Sequence, residues 1–417
     1  MFNLESKGNN PKKNNEDINW DKKLYPLYWL AYLLALYPVA KFGNRKPIIR
    51  KWHKYFAVTV AISTTVGTAY SLYGRIIHIY PYLPVTIRFI DGINATVNCI
   101  TYAISIFSIS VFGCNDLCAA LRSSVEIDKY FKHKVANSSD KVKTKVVKFY
   151  LEFIFGQILL LSYYVYDGIL WSRAVGFQIY VYYLLRSIQF YCNFILSLLI
   201  RYFVLLIKER LRLLNLMISH HPERIIMAEY DPKKNVYVAN SKDVVKAYHL
   251  LLEQINISNS VFGTPMLFLS FCFIVDVLNM LLMWIVYSFQ DNVEMKGVAF
   301  GMDMLILCCF SVVKDLITYL ALVSSCDQTA REAGCTSFAC YKLLYELSKM
   351  DNLNDSYTTK EKQSERHDFT LLAIQSSNVS VHFSAAGFFV MDFSTLFTLI
   401  SFIMSYLVVL IQFNDRF

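Results

Sequence analysis

The chain has 417 residues, of which 55% are hydrophobic and only 18% charged. A soluble globule of this length carries more charge, so composition excludes that class and points to a polypeptide held mostly in lipid as one domain. The formal charge of +9 would suit a nucleic-acid binder, but the basic residues cluster between apolar runs, where they mark membrane topology and exclude a nucleic-acid partner.

Residues 1 to 22, rich in Asn and Lys, have too little apolar content for a core and read as a disordered cytoplasmic tail. Leu24 to Val39 is apolar but short for a crossing and is interrupted by Pro26 and Pro38, so a re-entrant or interfacial helix is expected over 23 to 52. Seven longer apolar segments follow, at 53 to 79, 86 to 113, 147 to 171, 175 to 205, 261 to 288, 296 to 325 and 386 to 413. Each can cross a hydrocarbon core of about 30 Å at about 1.5 Å per residue. The fold class expected is therefore an all-α membrane protein of seven transmembrane helices.

Loop charge sets the orientation. Residues 1 to 56 hold eleven Lys and Arg against four acids, and the connections 114 to 146, 206 to 245 and 326 to 384 are long and basic-rich. The alternate connections are short: one carries no charge, one only Arg173 and one two acids. Positive loops stay inside, so an inverted topology follows, with a cytoplasmic N terminus and an extracellular C terminus. Helical periodicity continues into the cytoplasm at 242 to 262, with Val245, Tyr248, Leu251, Leu252 and Ile255 on one face, and at 335 to 350. Such faces pack either within one subunit or between subunits. Residues 351 to 368 form a polar break.

No phosphate loop, dinucleotide fingerprint, nucleophile elbow or zinc-protease motif is present, so neither an enzyme nor a cofactor is expected. The ten cysteines follow no disulfide or zinc spacing, and no metal site is expected. The pairs Cys114 with Cys118 and Cys335 with Cys340 are the two that could be joined or modified. His220 and His221 are adjacent and read as solvated.

Polar side chains inside the spans are more informative, because an ionisable group at membrane depth faces protein or water. Asp91, Asn94 and Asn98 share one helical face of the second span. Tyr163, Tyr166, Asp167 and Trp171 gather at the outer end of the third, and Tyr180 and Tyr183 open the fourth, with Arg186 deeper. Asp276, Asn279 and Trp284 lie in the outer half of the fifth, with Asp303 expected opposite them on the sixth. Aromatic faces with a few carboxylates and amides suit a small organic ligand. The alternative is an interfacial aromatic belt in which Asp167 pairs with Arg186 and Asp91 with a nearby amide. Lys314 and Asp315 are expected at the inner end of the sixth span as a structural or gating pair. In the nearly uncharged last span, Tyr406, Val409 and Phe413 fall on one face and Ser405, Val409 and Gln412 on an overlapping one. That face can line a pore with an apolar constriction, or the helix can simply meet lipid or core.

The segment SYLVVLIQF (405 to 413) resembles the C-terminal signature of insect gustatory receptors, Thr-Tyr, five hydrophobic residues, Gln-Phe, with Ser405 in place of Thr and with Tyr406, Gln412 and Phe413 matching. FSAAGFFVMDFSTLFTLISF upstream, and SSCDQTAREAGCTSFACYKLL after the sixth span, are similar to the runs that accompany it. The resemblance implies a tastant-gated, non-selective cation channel in the plasma membrane of chemosensory neurons, a homotetramer or a heteromer with related receptors. It implies a ligand-binding bundle over 53 to 325, an anchor over 326 to 385 and a pore helix with a short outer tail over 386 to 417, with Gln412 and Phe413 at the gate. A bitter-type plant molecule fits the sparse hydrogen-bonding set better than a sugar. The competing class, a seven-helix receptor acting through a G protein, places its N terminus outside and carries Asp-Arg-Tyr and Asn-Pro-x-x-Tyr features that the relevant spans lack.

Overall fold

The structure, a computed structural model, describes residues 25–39, 51–220, 240–289, 301–351 and 360–414. The expected tail at 1 to 22, His221 and part of the polar break at 351 to 368 lie outside the described residues. In chain order the elements are α1 (Tyr25–Leu33), α2 (Lys51–His78), a 3-10 turn (Tyr80–Tyr82), α3 (Val85–Ser105) running into a π-helical stretch (Ile106–Phe112), α4 (Cys114–Val175) and α5 (Phe177–Ser219). They continue with α6 (Ser241–Phe289), α7 (Gly301–Asp351), α8 (Lys360–Asn378), the two-residue strands β1 (Ser384–Ala385) and β2 (Phe389–Val390), and α9 (Phe393–Asn414). Seven of these, α2 to α7 and α9, contain segments long and apolar enough to span a membrane, matching the seven predicted. Where Thr occurs in α2, its hydroxyl bonds back to the carbonyl one turn earlier, as at Thr64 and Thr68, so the polar group needs no water.

The apolar segment before α2 forms only a nine-residue helix, about 14 Å long and too short to cross. One face of it is buried in the bundle, through Leu27, Tyr28 and Ala31, while Trp29 and Leu33 are exposed; Tyr28 and Tyr37 stack at 4.9 Å, and Tyr28 meets Tyr202 of α5 edge-on. The backbone that leaves the helix is satisfied by neighbours, with Tyr102 Oη donating to the Leu34 carbonyl (2.7 Å) and Ser110 Oγ to that of Ala35 (2.5 Å).

Helices α4, α6 and α7 run beyond membrane length at the end of the bundle that carries the long connections. The predicted apolar face at 242 to 262 is buried within the chain, centred on Val244, Tyr248, Leu251 and Ile255. Gln254 donates there to the Ala120 carbonyl of α4, and Arg210 of α5 grips Asp128 with two nitrogens at 2.9 and 3.1 Å. On α7, by contrast, Ala339, Cys340 and Leu343 are buried while Phe338, Tyr341 and Tyr345 stand exposed. All ten cysteines are free thiols. Burial, reinforced by Cys114, pushes the Cys118 thiol up to about 11 and leaves it a small inert hydrophobe.

The last helix begins at Phe393, several residues later than predicted, because the preceding stretch turns back on itself. Ser384 pairs with Val390 and Ala385 with Phe389, and Ala386 and Gly387 both take positive φ in the turn. Gly263 of α6 lets this hairpin seat, since a Cβ there would lie 3.1 Å from the Ala386 nitrogen and the Ser384 oxygen. Asp392 then caps α9 by accepting from the Thr395 N–H at 2.8 Å. These contacts explain the small-residue, Gly-Phe-Phe and Asp run in the sequence.

Gly113 closes the π-helical stretch by donating to the Ser108 carbonyl at 2.8 Å. A Cβ at Gly113 would sit 2.5 Å from that oxygen and 3.1 Å from Val261. Gly113→Ala therefore lowers the melting temperature of the purified chain, at a cost of about 1–3 kcal/mol. Gly334→Ala, whose Cβ would meet nothing within 4 Å, leaves it unchanged or raises it.

Candidate functional site

A second apolar cluster, separate from the main core, occupies the end of the bundle with the short connections. Below it lies a polar layer. Asp91, 0% exposed, accepts from Arg75 Nη1 (2.8 Å) and Tyr80 Oη (2.9 Å) on one oxygen and from Arg186 Nη1 (2.6 Å) on the other. Arg75 also donates to Ser71, whose hydroxyl is bonded to the Tyr182 carbonyl, and its guanidinium lies 5.1 Å from the centre of the Tyr183 ring. Helices α2, α3 and α5 are thereby tied at one carboxylate. In low dielectric each ion requires the others, because a lone buried charge costs several kcal/mol. This pairing differs from that of the alternative reading: Arg186 goes to Asp91, and Asp167 instead accepts from Tyr180 Oη at 3.5 Å.

One turn deeper, Asn94 and Asn98 both donate to Asp276 Oδ1, at 2.8 and 2.9 Å, and Asn193 donates to Asn98 at 2.8 Å. Lys314 and Asp315 pair at 2.8 Å beside Asp276, around a small cavity of about 60 Å³, rather than at the inner end of their span. Asn279 is 1% exposed, with no hydrogen-bond partner among the described residues.

Above the charges sit the aromatic candidates. Trp171 stacks on Tyr183 at 5.4 Å, and Tyr163 on Phe310 at 5.6 Å. Tyr163, Trp171, Tyr180 and Tyr183 are all buried, and the hydroxyl of Tyr183 has no partner among the described residues. Tyr180 also lines a groove of about 770 Å³ between α4 and α5, with Tyr164, Gln157 and Tyr191, a volume within the range of ligand sites. Gln157 accepts from Tyr191 Oη at 2.9 Å.

Two candidates fall elsewhere. Trp284 is 38% exposed on the bundle surface, where an indole suits lipid. Asp303 is exposed at the rim and takes the Tyr166 hydroxyl at 3.3 Å instead of facing Asp276. Of the last-helix candidates, Ser405, Tyr406, Val409 and Gln412 are all exposed, and the side chain of Phe413 lies outside the described residues. Arg75, Tyr80 and Asn193 were not among the expected site residues. Arg75 had a signal: a guanidinium within an apolar segment needs an anion at its own depth.

Asp91→Ala strands two buried guanidinium groups, so it lowers stability by about 3–5 kcal/mol. Thermal unfolding of the purified chain checks this, with Asp167→Asn expected to be much milder.

The profile of the 7tm chemosensory receptor family matches residues 24–416. Gustatory receptor 68a of Drosophila melanogaster is 32% identical over 113 residues, 27% of this chain and 25% of that protein. Gustatory and pheromone receptor 32a of the same organism is 34% identical over 108 residues, 26% of this chain and 20% of that protein. The matched stretch thus spans a quarter or less of either relative. In structure the chain is similar to the insect olfactory receptor OR5 from Machilis hrabei, with a TM-score of 0.64 at 12% identity over 96% of this chain and 100% of that one. A structure of the same receptor in complex with eugenol superposes equally well. Since the family profile spans nearly the whole sequence and its seven spans share the fold of a solved chemoreceptor, the chain belongs to the 7tm chemosensory receptor family.

Proposed function

We propose that the chain is a gustatory receptor subunit that acts as a tastant-gated, non-selective cation channel. The observation that carries the reading is the state of α9. This helix is uncharged from Phe393 to Asn414, and its buried stripe is narrow, formed by Leu396, Ile403 and Leu407. Ser405, Tyr406, Val409 and Gln412 stand together on the uncovered side. Copies of such a face, arranged about an axis, make a constriction that closes by excluding water and opens on rotation toward Gln412.

The exposed Phe338, Tyr341 and Tyr345 on α7, with Leu371 and Ile374 on α8, give neighbouring subunits an apolar surface to bury. A homotetramer, or a heteromer with related receptors, uses that surface as its anchor within 326 to 385. Loop charge supports an N terminus inside, a C terminus outside and the aromatic cluster at the outer face, in the plasma membrane of a chemosensory neuron.

The tastant occupies the aromatic layer of Tyr163, Trp171, Tyr180 and Tyr183 and the adjoining α4–α5 groove, with Asp167, Tyr164 and Gln157 as its polar contacts. That lining is largely apolar and suits a bitter-type plant molecule better than a sugar. The eugenol held by OR5, a small aromatic compound, is in keeping with this chemistry. Asp91, with both oxygens engaged, serves as the base of the site and not as a ligand contact.

Recording from excised patches of cells that express the chain, without nucleotides or G proteins, tests the channel directly. A bitter-compound panel evokes cation current, and Gln412→Ala changes its amplitude or reversal potential. Silence across the panel despite surface expression contradicts the reading. Phe338→Glu with Tyr345→Glu shifts the purified assembly toward monomers in light scattering, while an unchanged mass removes the proposed anchor.

A further inference from the structure

The groove between α4 and α5 opens at a depth that water does not reach. Its lining runs from Gln157 to Ser172 on α4 and from Phe177 to Tyr191 on α5, within the two membrane-crossing stretches. The α4 side alone extends about 22 Å at about 1.5 Å per residue, most of a hydrocarbon core of about 30 Å. No acid, lysine, arginine or histidine lines it, and Leu161, Val165, Leu184 and Ile188 stand exposed along its lips. Lips of this kind meet acyl chains.

The back wall of the groove belongs to the aromatic layer. Tyr180 lines the groove while its hydroxyl donates to Asp167, and Tyr164 lines it with its ring edge-on to Tyr163 at 5.5 Å. Gly168 lets Tyr180 lie close to α4, since a Cβ there would come within 3.1 Å of the Tyr180 hydroxyl oxygen. Toward the outer face, by contrast, the layer is closed at the α2–α3 connection. Ile79 and Leu83 are 1% and 2% exposed there and pack in one cluster with Trp171.

The groove also carries a polar demand. Tyr191 Oη donates to Gln157 Oε1 at 2.9 Å, whereas Gln157 Nε2 has no partner among the described residues. An amide N–H at hydrocarbon depth without an acceptor is costly. An acyl chain does nothing to relieve that cost; an occupant with a hydroxyl or carbonyl oxygen does.

We propose that ligands enter the aromatic site sideways from the bilayer through this groove, and that the class it takes is a neutral, elongated lipophile bearing one such oxygen. The molecule dissolves in the membrane, slides between α4 and α5 with its oxygen at Gln157, and displaces the Tyr180 ring to reach Trp171 and Tyr183. Charged molecules are turned away by the cost of crossing lipid. This inference rests on the reading of the aromatic layer as the ligand site and adds its route and chemical class.

Photolabelling of the purified full-length chain in phosphatidylcholine nanodiscs tests it without any need for current. The probe is hexadecanol carrying a diazirine in its chain, set against a phosphatidylcholine carrying the same chain. The alcohol labels the stretch from Tyr164 to Tyr180 saturably, and excess plain hexadecanol abolishes that labelling. Val165→Trp with Leu184→Trp, which narrows the exposed lips, loses it, while Ile62→Trp with Val66→Trp on the exposed face of α2 keeps it. Labelling by the alcohol that does not saturate overturns the proposal. So does saturable labelling of the same stretch by the phosphatidylcholine probe, which means that a resident lipid fills the groove, or retained labelling in Val165→Trp with Leu184→Trp. The two probes on the unaltered chain decide the outcome whether or not the variants fold. Silent patches together with saturable labelling remove the channel reading and leave this site standing.

Discussion

A carboxylate with no exposed surface, placed where a bilayer would surround the bundle, dictates much of the arrangement around it. Asp91 can stay ionised only with cations at its own depth, and Arg75 from α2 and Arg186 from α5 arrive from helices that are not its sequence neighbours. Pairing fixes the axial register of three spans, because a shift of one turn, about 5.4 Å, would separate every partner. The amides one turn deeper repeat the device: Asn94 and Asn98 reach across to Asp276 and fix α6 in the same frame.

This frame divides the bundle by depth. Beneath the aromatic layer, Asp91 is held by Arg75 and Arg186, and Asn94 and Asn98 are held on Asp276, so these groups fix geometry. The aromatic layer above them keeps the Tyr183 hydroxyl without a partner among the described residues, and it adjoins the α4–α5 groove. In the proposed reading, a ligand that wedges between those aromatic faces pushes against this floor, and its binding energy passes to the helices that the floor connects. Helix α9 rests on α6 through a narrow stripe and a glycine-seated hairpin, so small movements of α6 reach the last span.

The seven spans were legible because lipid enforces a one-dimensional rule: about 20 apolar residues per crossing, with charge confined to the gaps. The aromatic cluster was legible for a related reason, since Tyr163, Trp171, Tyr180 and Tyr183 share the ends of consecutive spans joined by a short connection. The charge pairing was not. The alternative reading pairs Arg186 with Asp167, its neighbour across the α4–α5 hairpin, whereas the structure spends it on Asp91, which is 95 residues away. Helix rotation decides such pairings, and a hydropathy pattern reports depth far better than rotation. Asp303 and Trp284 show the same limit: Trp284 is exposed on the bundle surface, and Asp303 is exposed at the rim. The late start of α9 was hidden in an apolar run whose turn depends on the positive φ of Ala386 and Gly387. The face at 242 to 262 shows that an amphipathic stripe reveals the need for a partner without revealing that the partner lies within the same chain.

The central claim, a channel gated from an aromatic site, is tested most directly by a density map of the purified assembly with an active bitter compound bound. The account predicts four copies arranged around their α9 helices, with Gln412 on the axis and the compound against Tyr163, Trp171, Tyr180 and Tyr183. A monomeric particle, an axis lined by another helix, or a compound bound away from that aromatic layer would contradict it.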